Sequence, residues 1–236
     1  MNNYISIYIG MRFDYYLKML VLGDTCVGKT CLMQGICDEE VPLEHTPTIG
    51  IDFKSVTQKD DNGNIVKLQI WDAAGNPSFR SIVQSYCACV CGVIIVYDIT
   101  RRDTFRAVRE WYDLAKEGRG VQYRKTLLPL VIVANKRDLG TRRVVTYKEG
   151  LDLAKELDGR YIETSARGGI NVEGLKNGII TAMLDIARQK RYEDLNKPIP
   201  SSEKSAMRYV KINEDYDKKI KCINCWWPVL RFFRIR

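Results

Sequence analysis

Residues 21–30 read VLGDTCVGKT, a glycine-rich turn entered from an apolar run and left through a lysine and a threonine. Gly23, Gly28, Lys29 and Thr30 keep the spacing G-x-x-x-x-G-K-T, which lets successive backbone N–H groups curl around phosphate oxygens. Tyr16–Leu22 before the turn has the character of a buried strand, and a helix is expected from Lys29 onward. Strand, loop and helix in that order distinguish a phosphate cradle from an ordinary glycine turn, because the helix N-terminus adds its own dipole. Lys29 would then reach the β- and γ-phosphates, and the Thr30 hydroxyl would ligate magnesium. The lining is expected to run through Asp24, Thr25, Cys26, Val27, Gly28, Lys29, Thr30 and Cys31.

The alternation of strand and helix continues outward from this loop. Strands are expected at Ile51–Gln58 and Ile65–Ile70, joined by KDDNGN with its Asn-Gly turn. Further apolar strands are expected at Val90–Tyr97 and Leu127–Ala134, with a short one at Tyr161–Glu163. Helical spacing marks Asp103–Lys116, Tyr147–Leu157 and Val172–Arg188. The pattern predicts an α/β fold: a doubly wound, mostly parallel six-stranded sheet with helices on both faces. From Tyr192 the periodicity fades into charged sequence. The chain is therefore divided into an N-terminal extension at 1–13, a nucleotide-binding domain at 14–190 and a flexible tail at 191–236.

Two further motifs sort the chemistry. Trp71-Asp72-Ala73-Ala74-Gly75 follows an apolar strand, where Asp72 would support magnesium and the Gly75 N–H would approach the γ-phosphate. Such a pair would serve adenine or guanine nucleotides equally. Asn135-Lys136-Arg137-Asp138 stands at the end of the next apolar strand, where open α/β sheets place ligands. Asp138 can accept from guanine N1–H and N2–H₂ together, which adenine cannot offer. Asn135 would brace the loop, and the Lys136 stem would cover the base. In Glu163-Thr164-Ser165-Ala166-Arg167 the Ala166 N–H could donate to guanine O6, with Ser165 and Arg167 beside it. The base is read as guanine.

On these residues the chain resembles the small GTPases, and more narrowly the Rab family of membrane-traffic switches. Thr48-Ile49-Gly50-Ile51-Asp52-Phe53, Lys67–Asp72, Phe79-Arg80-Ser81-Ile82 and Gly92–Asp98 are similar to Rab segments, over roughly residues 14–190. The resemblance implies a GTP/GDP switch that requires Mg²⁺. Thr48 would bind the metal and read the γ-phosphate, and catalysis would involve Lys29, Thr48, Gly75 and residue 76. It implies an effector surface of Ile49, Gly50, Ile51, Asp52, Phe53, Trp71 and Phe79. It also implies an exchange factor, a TBC-type activating protein, a monomeric state and no nucleic acid. The expected location is cytoplasmic, on the cytoplasmic face of intracellular membranes.

Several positions depart from the family pattern. Asn76 replaces the glutamine that orients the attacking water, and one methylene less leaves its amide more than about an ångström short, worth about 10²-fold in rate. Ala73 replaces a common threonine, and Pro77-Ser78 a charged pair. A TBC-type activator supplies its own glutamine and arginine, so assisted hydrolysis would survive. Val41 stands where relatives carry an aromatic against the guanine edge, a loss of about 0.5–1.5 kcal/mol. The only histidine, His45, is read as a surface residue. A longer loop is expected near Lys116–Lys125, and MRFDYYLKMLVLGD from Met11 resembles a normal family start.

Charge separates the tail from the body. Residues 188–236 carry 13 basic and 6 acidic side chains, against 24 and 23 in residues 1–187. A basic tail that also carries Trp226, Trp227, Phe232 and Phe233 suits an acidic membrane surface better than nucleic acid. The run after Cys225 shows no C-terminal prenylation signal. Without a secretory signal, the eight cysteines are read as reduced thiols.

Overall fold

The computed structural model describes residues 13–41, 47–88, 90–119 and 128–195. Its sheet has six strands: β1 Tyr15–Leu22, β2 Ile51–Lys59, β3 Ile65–Ala73, β4 Gly92–Asp98, β5 Leu130–Asn135 and β6 Arg160–Glu163. Their order is β2-β3-β1-β4-β5-β6, with β2 antiparallel to β3 and every other pairing parallel. Helices cover both faces: α1 Lys29–Ile36, α2 Arg80–Cys87, α3 Arg102–Arg106, α4 Val108–Gly118, α5 Tyr147–Glu156 and α6 Val172–Leu195. This is the doubly wound fold that the alternation predicts.

The central strands are apolar on both sides because each face has its own helical cover. Leu17, Met19 and Val21 of β1 point toward α1 and α6, packing with Met33, Ile36, Ile179 and Met183. Leu20 and Leu22 point the other way, into a second core with Val83 of α2, Trp111 of α4 and Leu153 of α5. The parallel strands end together, so the loops after β1, β3, β5 and β6 open on one edge, where such sheets bind ligands.

The observed elements differ from the sequence expectation at several points. Strand β3 runs on to Ala73 rather than ending at Ile70, because Asp72 and Ala73 still pair with Asp52 and Ile51 of β2. The single helix expected over Asp103–Lys116 is divided at Ala107, although Ala107 N–H still donates to Asp103 O and Trp111 N–H to Ala107 O. Helix α2 was not foreseen, since only Val83 and Cys87 of it are buried and no longer apolar stripe announces it. Helix α6 continues to Leu195, past the end expected at Arg188. Helix-forming residues such as Ala187, Arg188, Gln189 and Lys190 carry the backbone on after the apolar stripe ends. Cys26, Cys31, Cys37, Cys87 and Cys91 carry thiols rather than disulfides. Among the described residues no helix is long and apolar enough to cross a membrane. The aromatic tail, His45, Cys89 and the loop at 120–127 lie outside the described residues.

Candidate functional site

The loop after β1 closes on itself by left-handed turns. Cys26 has φ 65° and Gly28 has φ 96°. A side chain at Gly28 would be strained by that φ, and its Cβ would lie 2.4 Å from Asn135 Nδ2. Asn135 fills that space from the end of β5. Its Nδ2 donates to Val27 O at 2.8 Å, while its Oδ1 accepts from Ala166 N at 3.0 Å and Thr164 Oγ1 at 3.2 Å. One buried amide thus fastens the phosphate loop, 108 residues away in sequence, and the turn after β6, 31 residues away, to the end of β5. Lys136 adds a second tie, donating from Nζ to Cys26 O at 2.8 Å and pairing with the buried Asp98 at 2.8 Å.

The cationic and oxygen-bearing groups meet at the mouth of this loop. Lys29 is buried and donates to Asp24 O at 2.8 Å. Burial pushes its ammonium below the usual lysine range, opposed by the charges of Asp72 and Asp24. Thr30 Oγ1 donates to Asp72 Oδ2 at 2.5 Å and lies 3.0 Å from Thr48 Oγ1, and Thr48 Oγ1 donates to the same carboxylate oxygen at 3.2 Å. Asp72 is fully buried, and burial raises its carboxyl above the usual range despite the two hydroxyls and Lys29. Its Oδ1 has no hydrogen-bond partner. A buried carboxylate with one unpaired oxygen and two hydroxyls is a hard oxygen-donor set, and it fits Mg²⁺.

Gly75 presses its backbone against the loop. A Cβ there would fall 2.4 Å from Asp24 C and 2.5 Å from Thr25 N, so only glycine lets the strand end approach this closely. Asn76 follows in extended conformation and caps the 3₁₀ turn Pro77–Phe79, accepting the Ser78 N–H on Oδ1 at 2.9 Å. Its side-chain oxygen is therefore engaged locally rather than aimed at the loop.

At the base-reading end, Ser165 Oγ donates to Asp138 Oδ1 at 2.5 Å and accepts from Gly168 N at 2.9 Å. The Ala166 N–H, expected to be available for guanine O6, is instead taken by Asn135, so a base would share or displace that bond. Arg167 is exposed beside this turn, and its charge acts on Cys31, whose half-buried thiol is pushed up chiefly by burial. Val41 is half-buried after α1, and no hydrogen bond or core packing among the described residues joins it to these loops.

The expected effector residues form an outward face beside the site. Ile49 and Phe53 are exposed, and the rings of Phe53, Trp71 and Tyr86 follow one another at centroid spacings of 5.2 Å. Gly50 accepts the Ala74 N–H at 2.9 Å, so Ile51 and Asp52 leave the site along β2 directly beside Asp72. Phe79 packs half-buried behind them. Sequence reading missed Tyr86, Asp98, Arg101 (whose Nη1 donates to Thr25 O at 3.3 Å) and Trp111. Asp98 had a signal, a carboxylate ending an apolar strand; Trp111 had none beyond its place on a core-facing helix stripe.

The model of the Ras family matches residues 18–185. A relative from Oryza sativa subsp. japonica, Ras-related protein RIC1, is 40% identical over 162 residues, covering 69% of this chain and 77% of its own length.

Proposed function

The chain belongs to the Ras family of small GTPases, a GTP-hydrolysing molecular switch, and from that premise we propose a Rab-type regulator of membrane traffic with a long-lived GTP state. The observation that carries this reading is the meeting of Thr30, Thr48 and Asp72 around one carboxylate oxygen. Thr30 belongs to the phosphate loop and Thr48 to the first switch, so whatever occupies this point decides where the switch rests. Mg²⁺ would be held by Thr30, Thr48 and Asp72, neutralising charge on the β- and γ-phosphates. Lys29, the N–H groups from Thr25 to Cys31 and the Gly75 N–H would hold the phosphates. Asp138, Ser165, Ala166 and Lys136 would hold guanine, with Arg167 flanking them. Catalysis would rest on Lys29, Thr48 and Gly75, with Asn76 contributing weakly.

The Rab assignment rests on the quoted segments and on the ring series Phe53–Trp71–Tyr86, an aromatic face with Phe53 exposed and the other two rings half-buried, fit for effector proteins. An exchange factor and a TBC-type activating protein would drive the cycle, and the basic tail would draw the chain to the cytoplasmic face of intracellular membranes. Because Asn76 spends its oxygen on Ser78, a second reading follows, in which the chain scaffolds effectors while GTP stays bound. Displacement of labelled GDP in the presence of magnesium tests the nucleotide reading. GTP is expected to compete about 10⁴-fold better than ATP, as a site built to pair polar groups rejects ligands that leave them unpaired. ATP within tenfold of GTP would sink it.

A further inference from the structure

The segment from Gly75 to Arg80 is fastened at both ends to one pair of residues, Asp24 and Trp111. At its start Gly75 packs against the Asp24 backbone so closely that a Cβ would collide with it. At its end Arg80, the first residue of α2, lays its guanidinium over the Trp111 ring, 5.4 Å from the centroid, and pairs with Glu110 at 2.9 Å. Arg80 Nε is buried with no hydrogen-bond partner, so the ring face and Glu110 hold this group in place. Trp111 is buried, and its Nε1 donates to Asp24 Oδ1 at 2.8 Å. Asp24 and Trp111 are 87 residues apart in sequence. The four residues between the tie points, Asn76 to Phe79, include the position that faces the attacking water in this family.

We propose that Trp111 is a positioning residue for GTP hydrolysis, holding the second switch to the phosphate loop through Asp24 on one side and Arg80 on the other. The inference rests on the GTPase reading and extends it to a residue outside the nucleotide motifs. Trp111 touches neither phosphate nor base. It acts by fixing the span that runs from the Gly75 N–H through Asn76, so its loss loosens that span and the Asp24 side chain, while the contacts of Lys29, of Thr30 with Asp72 and of Asn135 do not pass through it.

The test uses the full chain with magnesium and measures single-turnover GTP hydrolysis and GDP dissociation separately. Trp111→Phe keeps a ring for Arg80 and removes the donor to Asp24. Arg80→Met acts at a half-exposed helix start and leaves the core intact, so it reports even if the tryptophan variant folds poorly. Each is expected to slow hydrolysis about tenfold, in line with displacement of a reacting group by a fraction of an ångström, and to change GDP dissociation less than about threefold. The double variant should be no slower than the slower single one, since both cut the same fastening. Unchanged hydrolysis in Arg80→Met, or hydrolysis and affinity falling together in both variants, would overturn the inference and leave the nucleotide reading intact. Failure of the unaltered chain to load guanine nucleotide would overturn that reading and the inference with it.

Discussion

An asparagine in extended conformation can accept a hydrogen bond from the amide two residues on, and Asn76 does so with Ser78. Such a cap contributes about 1 kcal/mol to the turn it starts. Glutamine is one methylene longer, so it closes this small ring poorly and reaches further toward a γ-phosphate. Asn76→Gln is therefore expected to raise single-turnover hydrolysis and to speed amide exchange at the start of α2. Asn76→Ala should speed exchange without raising hydrolysis. Equal hydrolysis rates for the two variants would show that the Pro77-Ser78 backbone, and not the amide, sets the deficit. At the other end of the site, Asp138→Ala should lose discrimination between guanine and adenine nucleotides, read by the same displacement assay. These motif residues were legible because their spacing is set by the chemistry of phosphate and base. Asp98 and Trp111 escaped because their roles arise only when distant segments meet, as Trp111 does with Asp24.

Helix α5 is held at its start by a reciprocal cap. The Thr146 hydroxyl accepts the Glu149 N–H at 3.3 Å, and the Glu149 carboxylate accepts the Thr146 N–H at 2.8 Å while pairing with Arg102 of α3. The Arg102 guanidinium and the Thr146 donors hold the Glu149 carboxyl down to about 2 from its ordinary 4.5. A depressed carboxylate stabilises the fold in full above its unfolded value, and the contribution is lost as pH falls through the folded value. Glu149→Gln should thus lower the urea midpoint at pH 7, and the gap from the unaltered chain should narrow as pH drops below about 4.5. A gap independent of pH would mean that packing, not charge, explains it. At this scale the strands and most helices were legible from apolar periodicity. Helix α2 and the far end of α6 were not, because little of α2 is buried and the charged sequence at the far end of α6 lacks apolar periodicity.

The doubly wound sheet was legible from the alternation of apolar strands with amphipathic helices, and both cores follow from it. Charge is also distributed at this scale, with nearly all of the basic excess in 188–236. Each Lys or Arg near an acidic leaflet contributes about 1 kcal/mol, and aromatic rings at the headgroup level add a contribution that salt does not screen. Weak, partly salt-sensitive binding to anionic vesicles is expected, since stable anchoring takes two strong signals. Co-sedimentation of the unmodified chain should fall when residues 222–236 are removed, and equal sedimentation of both forms would exclude that segment as the determinant. We infer that one domain gathers a phosphate loop and two switches into a site that turns GTP over slowly, because the residue facing the water is spent as a cap. Single-turnover hydrolysis of preloaded GTP, alone and with a TBC-type activating protein, tests it most directly. Slow conversion to GDP by the chain alone and much faster conversion with the activator are the expected results. Rapid unassisted hydrolysis, or GTP left intact under both conditions, would contradict it.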